Sequence, residues 1–229
     1  MHIKGLQKTT LLDFPGKVAC TVFTGGCNFR CPFCHNASLV LAPNTVDEIN
    51  EESFFSFLRK RKGILDGVCI TGGEPLLQKD IVSFIRKIRA EGYSVKLDTN
   101  GSFPDKLNDI ISENLVDYIA MDIKNSEEKY PLTAGYSDDC GKMFQSIDLI
   151  MSCGVDYEFR TTVVKELHTV EDIESIARRI KGAKRYFLQN FKDSGDLIST
   201  GLSGHSEEEM RKMLEIIRPF VDVCGLRGV

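Results

Sequence analysis

The 229-residue chain has no long apolar run; its most apolar stretches, such as Phe54, Phe55, Phe57 and Leu58, extend over only a few residues. About 20 consecutive apolar residues are needed to cross a bilayer, so no membrane association through a spanning helix is expected. The opening MHIKGLQKTT also lacks the apolar centre of a secretory signal, and the expected location is cytoplasmic. Basic residues are not in excess: 29 Lys and Arg stand against 33 Asp and Glu, a formal charge of −4. A general nucleic-acid binder needs surplus cations to displace phosphate counterions, so no nucleic-acid partner is expected. The one basic run, Arg59 to Lys62, falls where a helix should end before Gly63, and cations there complement the helix dipole. With 42% hydrophobic and 27% charged residues the composition is that of a globular protein. The length suits one domain, 1–229, in which residues 1–16 form an N-terminal lead-in.

A second short-gap cysteine pair is missing as well. Of eight cysteines, Cys27, Cys31 and Cys34 share the loop CNFRCPFCHN, while Cys20, Cys69, Cys140, Cys153 and Cys224 are scattered and read as small buried hydrophobes. Structural zinc is nearly always closed by a fourth ligand, usually from a second pair. His35 adjoins Cys34 and is poorly placed to complete a tetrahedron, and His2, His168 and His205 are distant in sequence. Thiolates also suit iron–sulfur clusters. In a [4Fe–4S] cubane, three cysteines bind three irons and leave the fourth open to an exogenous ligand. The spacing favours such a cluster, with zinc and unliganded thiols as the alternatives.

Short β-rich runs recur at 18–23, 67–71, 93–99, 117–123, 157–164 and 185–190, each apolar through most of its length, as strands covered on both faces are. Between them lie helical patterns. In KDIVSFIRKIRAEG, Ile81, Phe84, Ile85 and Ile88 recur at helical spacing before Gly92, and Ser206 with Glu209 forms a capping box ahead of a last helix. Six strand–helix alternations call for right-handed crossovers and a parallel sheet. The expected fold is α/β, a partial, open (β/α)6 barrel related to the eight-fold TIM barrel. In such folds ligands gather at the C-terminal ends of the strands. That is where GGCNFRCPFC, GGEP, NG, IK and FKDSG follow their strands.

The Cys-x3-Cys-x2-Cys pattern of Cys27, Cys31 and Cys34, with Phe33 before the third cysteine, resembles the signature of the radical S-adenosylmethionine enzymes. Thr71 to Pro75 match that family's TGGEP turn. The resemblance implies that the backbone at Gly72 and Gly73, with Glu74, receives the methionine amino group of S-adenosylmethionine. Asp98, Thr99, Asn100 and Gly101 resemble the DTNG segment of the glycyl-radical-enzyme activases, and Met121 to Lys124 their M/L-D-x-K segment. This implicates Asp98, Thr99, Met121 and Asp122 beside a monovalent cation, and Lys124 at the cofactor carboxylate. Arg160 is a second candidate for that carboxylate, or else an internal ion pair. Gln189 and Asn190 stand where pyruvate formate-lyase activases carry a histidine segment near the cofactor ribose, and an amide can hydrogen-bond a ribose hydroxyl. The opening through residue 36 is similar to the activating proteins of anaerobic ribonucleoside-triphosphate reductase. The implied activity is reductive cleavage of S-adenosylmethionine by a [4Fe–4S] cluster, followed by hydrogen abstraction from a glycine Cα of that partner enzyme. The implied electron donor is a flavodoxin or ferredoxin. Asp13 to Gly16 resemble the activases' D-G-P-G turn, with Phe14 for its first Gly, and either frame the partner's entrance or have only a structural role. The alternatives are a family member acting on a small molecule and a noncatalytic zinc or iron–sulfur module.

Overall fold

A computed structural model describes residues 1–228. Eight strands form one sheet in sequential order: β1 Ile3–Thr10, β2 Ala19–Thr24, β3 Gly67–Gly72, β4 Ser94–Thr99, β5 Tyr118–Asp122, β6 Asp156–Val163, β7 Arg185–Asn190 and β8 Val223–Arg227. Strands β2 to β8 run parallel, and β1 pairs antiparallel with β2. The helices are α1 Ala37–Leu41, α2 Glu51–Lys60, α3 Ile81–Ala90, α4 Pro104–Ser112, α5 Tyr130–Ala134, α6 Gly141–Ser152, α7 Val170–Arg179 and α8 Glu207–Ile217. Among the described residues β1 and β8 do not pair, so the sheet stays open. No helix among those residues is long and apolar enough to cross a membrane.

All six expected strands are present as β2 to β7, within about two residues of the sequence reading. Two strands lie outside it. The 1–16 segment, read as a lead-in, supplies β1, whose mixed pattern of partly exposed residues is that of an antiparallel edge rather than a buried strand. Strand β8 was hidden for a related reason: VCGLR has a central glycine and only half-buried side chains.

The helices cover the sheet through apolar stripes. Helix α3 buries Ile81, Phe84, Ile85 and Ile88, each worth about 1.5–3 kcal/mol of transfer out of water. Helix starts are chemically marked. Ser206 and Glu209 close a capping box on α8, and Thr169 and Asp172 do the same on α7. Arg59 and Lys60 occupy the last turn of α2, as the dipole favours. The consequence for function is positional: the parallel strands all end at one rim, and the loops after them converge there.

Candidate active site

A cavity of about 500 Å³ opens at that rim and reaches down between the strands. Cys27, Cys31 and Cys34 line it, together with Gly72, Gly73, Asp98, Thr99, Asp122, Lys124, Arg160 and Gln189. The volume falls within the range of small-molecule sites.

The cysteine loop is held by backbone contacts that explain its glycines. The Gly73 N–H donates to the Thr24 carbonyl (2.9 Å) and the Glu74 N–H to the Gly26 carbonyl (2.9 Å). A Cβ on Gly73 would lie 1.9 Å from the Gly26 carbonyl oxygen, and one on Gly72, where φ is +113°, 2.4 Å from the Thr24 nitrogen. Only glycine lets the TGGEP turn lie against the loop this closely. Within the loop, the Phe29 N–H donates to the Cys27 sulfur (3.3 Å), the Cys34 N–H to the Cys31 carbonyl (3.0 Å), and Arg30 Nη1 to the carbonyls of Cys27 (2.6 Å) and Phe29 (2.8 Å).

This arrangement fits a cluster. Burial, before any neighbouring charge, pushes the Cys27 thiol to about 12 and the Cys31 thiol to about 11, so neither ionises unaided at neutral pH. Iron would supply the positive charge that holds them as thiolates. Among the described residues, no three His, Cys, Asp or Glu side chains come together as around a single metal ion. Zinc would draw its thiolates to about 4 Å from one another, whereas a cubane places each cysteine on a different iron and accepts a wider set. His35 stays out of the thiol group: its Nε2 lies 2.8 Å from the Lys192 carbonyl and its ring stacks on Phe191 at 5.5 Å.

Below the cysteines runs an alternating ladder of charge. Residues two apart on a strand share a face, which aligns Lys96 with Asp98 on β4. Arg160 on β6 reaches across both neighbouring carboxylates, Nη1 to Asp98 (3.1 Å) and Nε to Asp122 (2.9 Å). Lys124 pairs with Asp122 (3.3 Å), and Lys96 pairs with Asp98. Burial alone would raise the Asp122 carboxyl, but Arg160 and Lys124 outweigh it and hold it at about 2. The balance has the same sign at Asp98, through Arg160 and Lys96.

Several sequence-derived assignments change here. For Arg160 the structure shows the internal ion pairs that the sequence reading gave as its alternative role. Asp98 and Asp122 line the cavity already neutralised by three cations. Thr99 donates its hydroxyl to Glu74 (2.9 Å), and the Met121 side chain is buried against Gly101, where a Cβ would come within 2.1 Å of Met121 Cε. Glu74 does not line the cavity: it is 0% exposed and accepts from the Leu76 N–H (3.0 Å), the Thr99 hydroxyl and the Asn100 N–H (2.7 Å). It ties the β3 turn to the β4 loop. Asn190 is also withdrawn, its amide bonded to the His205 backbone at 2.8 and 2.9 Å, while Gln189 faces the cavity. Phe33 is buried in the cavity wall, edge-on to His168 at 6.3 Å.

Burial pushes the Glu74 carboxyl up to about 7, against the pull of its three donors. The folded value exceeds the unfolded one, about 4.3, so the native state holds the extra proton. Its contribution to stability is complete below about pH 4.3 and is lost as pH rises through about 7. Glu74→Gln has no proton to lose. The stability difference, wild type minus variant, should therefore decline from pH 5 to pH 8 in urea unfolding; a difference independent of pH would refute this assignment.

Sequence reading missed other cavity residues. Cys69 is buried, as its apolar run predicts, but also borders the cavity, 3.7 Å from Lys96 Nζ and 3.8 Å from Asp98. Lys96 is 2% exposed inside a strand, and its signal was a lysine on the same face as Asp98. Thr21 and Asn36 also line the cavity; Asp13, read from sequence in an entrance turn, lines it too and accepts from the Thr21 hydroxyl, and Asn100 of the DTNG segment lies at the rim, its Nδ2 donating to Asn28 (3.0 Å).

The Radical SAM superfamily profile matches residues 21–180. A protein of Methanocaldococcus jannaschii, provisionally named a glycyl-radical enzyme activating enzyme, is 33% identical over 99% of this chain and 96% of its own length. The pyruvate formate-lyase-activating enzyme of Clostridium pasteurianum is 27% identical over 80% of this chain and 77% of its own. Among solved structures, Streptococcus suis SuiB bound to S-adenosylmethionine superposes with a TM-score of 0.68 at 14% identity, covering 88% of this chain and 48% of that one; at that identity it supports the fold. The chain belongs to the radical SAM superfamily, in its glycyl-radical-enzyme activating group, and is thus an enzyme whose cofactors are a [4Fe–4S] cluster and S-adenosylmethionine.

Proposed function

We propose that this enzyme installs a glycyl radical on anaerobic ribonucleoside-triphosphate reductase, drawing its electron from a flavodoxin or ferredoxin in the cytoplasm. The observation that supports the reading best is the single cavity that gathers the three cysteines with the residues closing β3, β4, β5 and β7. The choice of partner rests on the opening sequence through residue 36.

In this reading Cys27, Cys31 and Cys34 hold the cluster at the rim. The backbone of Gly72 and Gly73 receives the methionine amino group, Lys124 the carboxylate, and Gln189 the ribose. Bound together, the cluster and S-adenosylmethionine supply a 5′-deoxyadenosyl radical that can take a hydrogen atom from a glycine Cα. The chain's own work is positioning. The charge ladder fixes Lys124 through Asp122 and Arg160, and the Glu74 clamp fixes the height of the glycine turn against the cysteine loop. Phe29 and Phe33 exclude water from the thiol side. Fixed groups of this kind hold reacting atoms in line at little reorganisation cost.

The test is anaerobic coincubation of the reduced, reconstituted protein and S-adenosylmethionine with candidate partners, read by EPR. A glycyl doublet on the ribonucleotide reductase and none on pyruvate formate-lyase supports the assignment. A doublet on pyruvate formate-lyase alone keeps the activase class but overturns the partner.

A further inference from the structure

Asn100, the residue after β4, is 6% exposed and is held at both its backbone and its side chain. Its backbone N–H donates to the Glu74 carboxyl (2.7 Å), and its Oδ1 accepts from both the backbone N–H (2.9 Å) and the hydroxyl (2.6 Å) of Ser102. A backbone N–H can only donate, so the atom facing it is the amide oxygen, which fixes the sense of the Asn100 amide. Its Nδ2 is thereby turned toward the cysteine loop, 3.0 Å from Asn28 Oδ1 and 3.8 Å from the Cys27 sulfur.

Asn28 completes a ring. Its own Nδ2 donates to the Ser102 hydroxyl oxygen (2.9 Å), so donation runs from Asn100 to Asn28, from Asn28 to Ser102 and from Ser102 back to Asn100. The ring uses one of the two hydrogens on Asn100 Nδ2. The other lies toward Cys27, whose sulfur also accepts from the Phe29 N–H (3.3 Å). With Cys27 as a neutral thiol, 3.8 Å is a long contact. An ionised acceptor draws its donors closer and binds them roughly twice as strongly. The network therefore keeps a donor in place for the charge that Cys27 carries as a cluster ligand.

We propose that the Asn100 amide donates a hydrogen bond to the Cys27 thiolate of the bound cluster and thereby raises the cluster's reduction potential. The inference rests on the reading of Cys27, Cys31 and Cys34 as cluster ligands. Its physical basis is that a donor to sulfur stabilises the reduced cluster, which has one more negative charge, more than the oxidised one. Reduction by an external one-electron donor becomes more favourable in consequence. Asn100 acts through Cys27, so it is a tuning residue that keeps its protons and takes no part in bond breaking.

The experiment is an EPR-monitored redox titration of the anaerobically reconstituted protein without S-adenosylmethionine. Asn100→Ala should make reduction about tenfold less favourable, a drop of about 59 mV for one electron. Ser102→Ala is the comparison: it opens the ring but leaves the Ser102 backbone N–H on Asn100 Oδ1, so its potential should stay at the wild-type value. Equal shifts in the two variants, or none in either, would overturn the proposal while sparing the cluster assignment. If Asn100→Ala assembles no cluster, the wild-type protein decides. Labelled with nitrogen-15 at its asparagine side-chain amides, it should show a hyperfine coupling of that nitrogen to the reduced cluster in pulsed EPR. The amides of the neighbouring asparagines, Asn28 and Asn36, donate to Ser102 and to the Gly72 carbonyl instead. A spectrum without the coupling overturns the proposal. A wild-type protein that assembles no [4Fe–4S] cluster sinks both readings.

Discussion

Replacing any one of Cys27, Cys31 or Cys34 with alanine should abolish the EPR signal of the reduced cluster and the release of 5′-deoxyadenosine, with no partial phenotype. Two thiolates cannot hold the cubane in a loop whose geometry is set for three, and the missing sulfur leaves an iron without a protein ligand. Cys140→Ala and Cys153→Ala serve as controls. Both residues are half-buried beside α6, outside the cavity lining, so both variants should retain signal and turnover. The Cys153 thiol does donate to the Ile150 carbonyl (3.2 Å), which makes its removal a small stability change at a helix end rather than a catalytic one. Equal loss from the controls and the loop cysteines would refute the assignment of the three thiols.

The second large effect is on folding. Arg160→Leu removes the guanidinium that bridges Asp98 and Asp122, whose side chains are 13% and 32% exposed. Removing one partner of a buried ion pair destabilises by about 3–5 kcal/mol because the remaining charge is uncompensated. Lys96 and Lys124 stay in place, which sets the expectation at the low end, about 3 kcal/mol, or a fall in Tm of roughly 6–12 °C for a chain of this size. Adding Asp98→Asn to Arg160→Leu should deepen the loss rather than relieve it, since the buried Lys96 ammonium then has no carboxylate partner. The two effects are coupled through direct contact and will not add. Calorimetry on the metal-free protein reads both. An Arg160→Leu protein with unchanged Tm would mean that solvent already screens the ladder and that the arginine is free to serve a ligand.

These two results probe different layers of the molecule, and the layers were not equally visible beforehand. Cys27, Cys31 and Cys34 could be recognised because their spacing is local: a loop of eight residues is enough to present three thiols together. The same holds for β2 to β7, whose apolar runs are longer than their connections are ambiguous, and for the Ser206–Glu209 cap, where donor and acceptor are three residues apart. Strand β1 and strand β8 were not visible, since an edge strand with partly exposed residues has no periodicity that separates it from a loop.

Side-chain direction was the other gap. The resemblance placed Glu74 and Asn190 at the cofactor, and Arg160, midway along β6, was a candidate for its carboxylate or for an internal ion pair. Their partners, however, come from other strands: Asn100 and Thr99 for Glu74, Asp98 and Asp122 for Arg160, the His205 backbone for Asn190. A carboxylate buried among three donors, or a guanidinium between two carboxylates, is already satisfied and gains little by turning outward. Lys96 shows the converse. Nothing local distinguishes a buried lysine from a surface one.

The sequence by itself determined the parallel α/β architecture, the three-thiol loop and the rim at which chemistry collects, because each follows from contacts within a few residues or from the period of a single element. Which polar groups face the cavity, and which are consumed in holding it open, was decided only by the tertiary structure. Most of those pairings join residues 15 to 74 positions apart, as in Asn190 with His205, Glu74 with Thr99, Arg160 with Asp98 and Asn28 with Ser102, and only the tertiary fold brings them within hydrogen-bond reach.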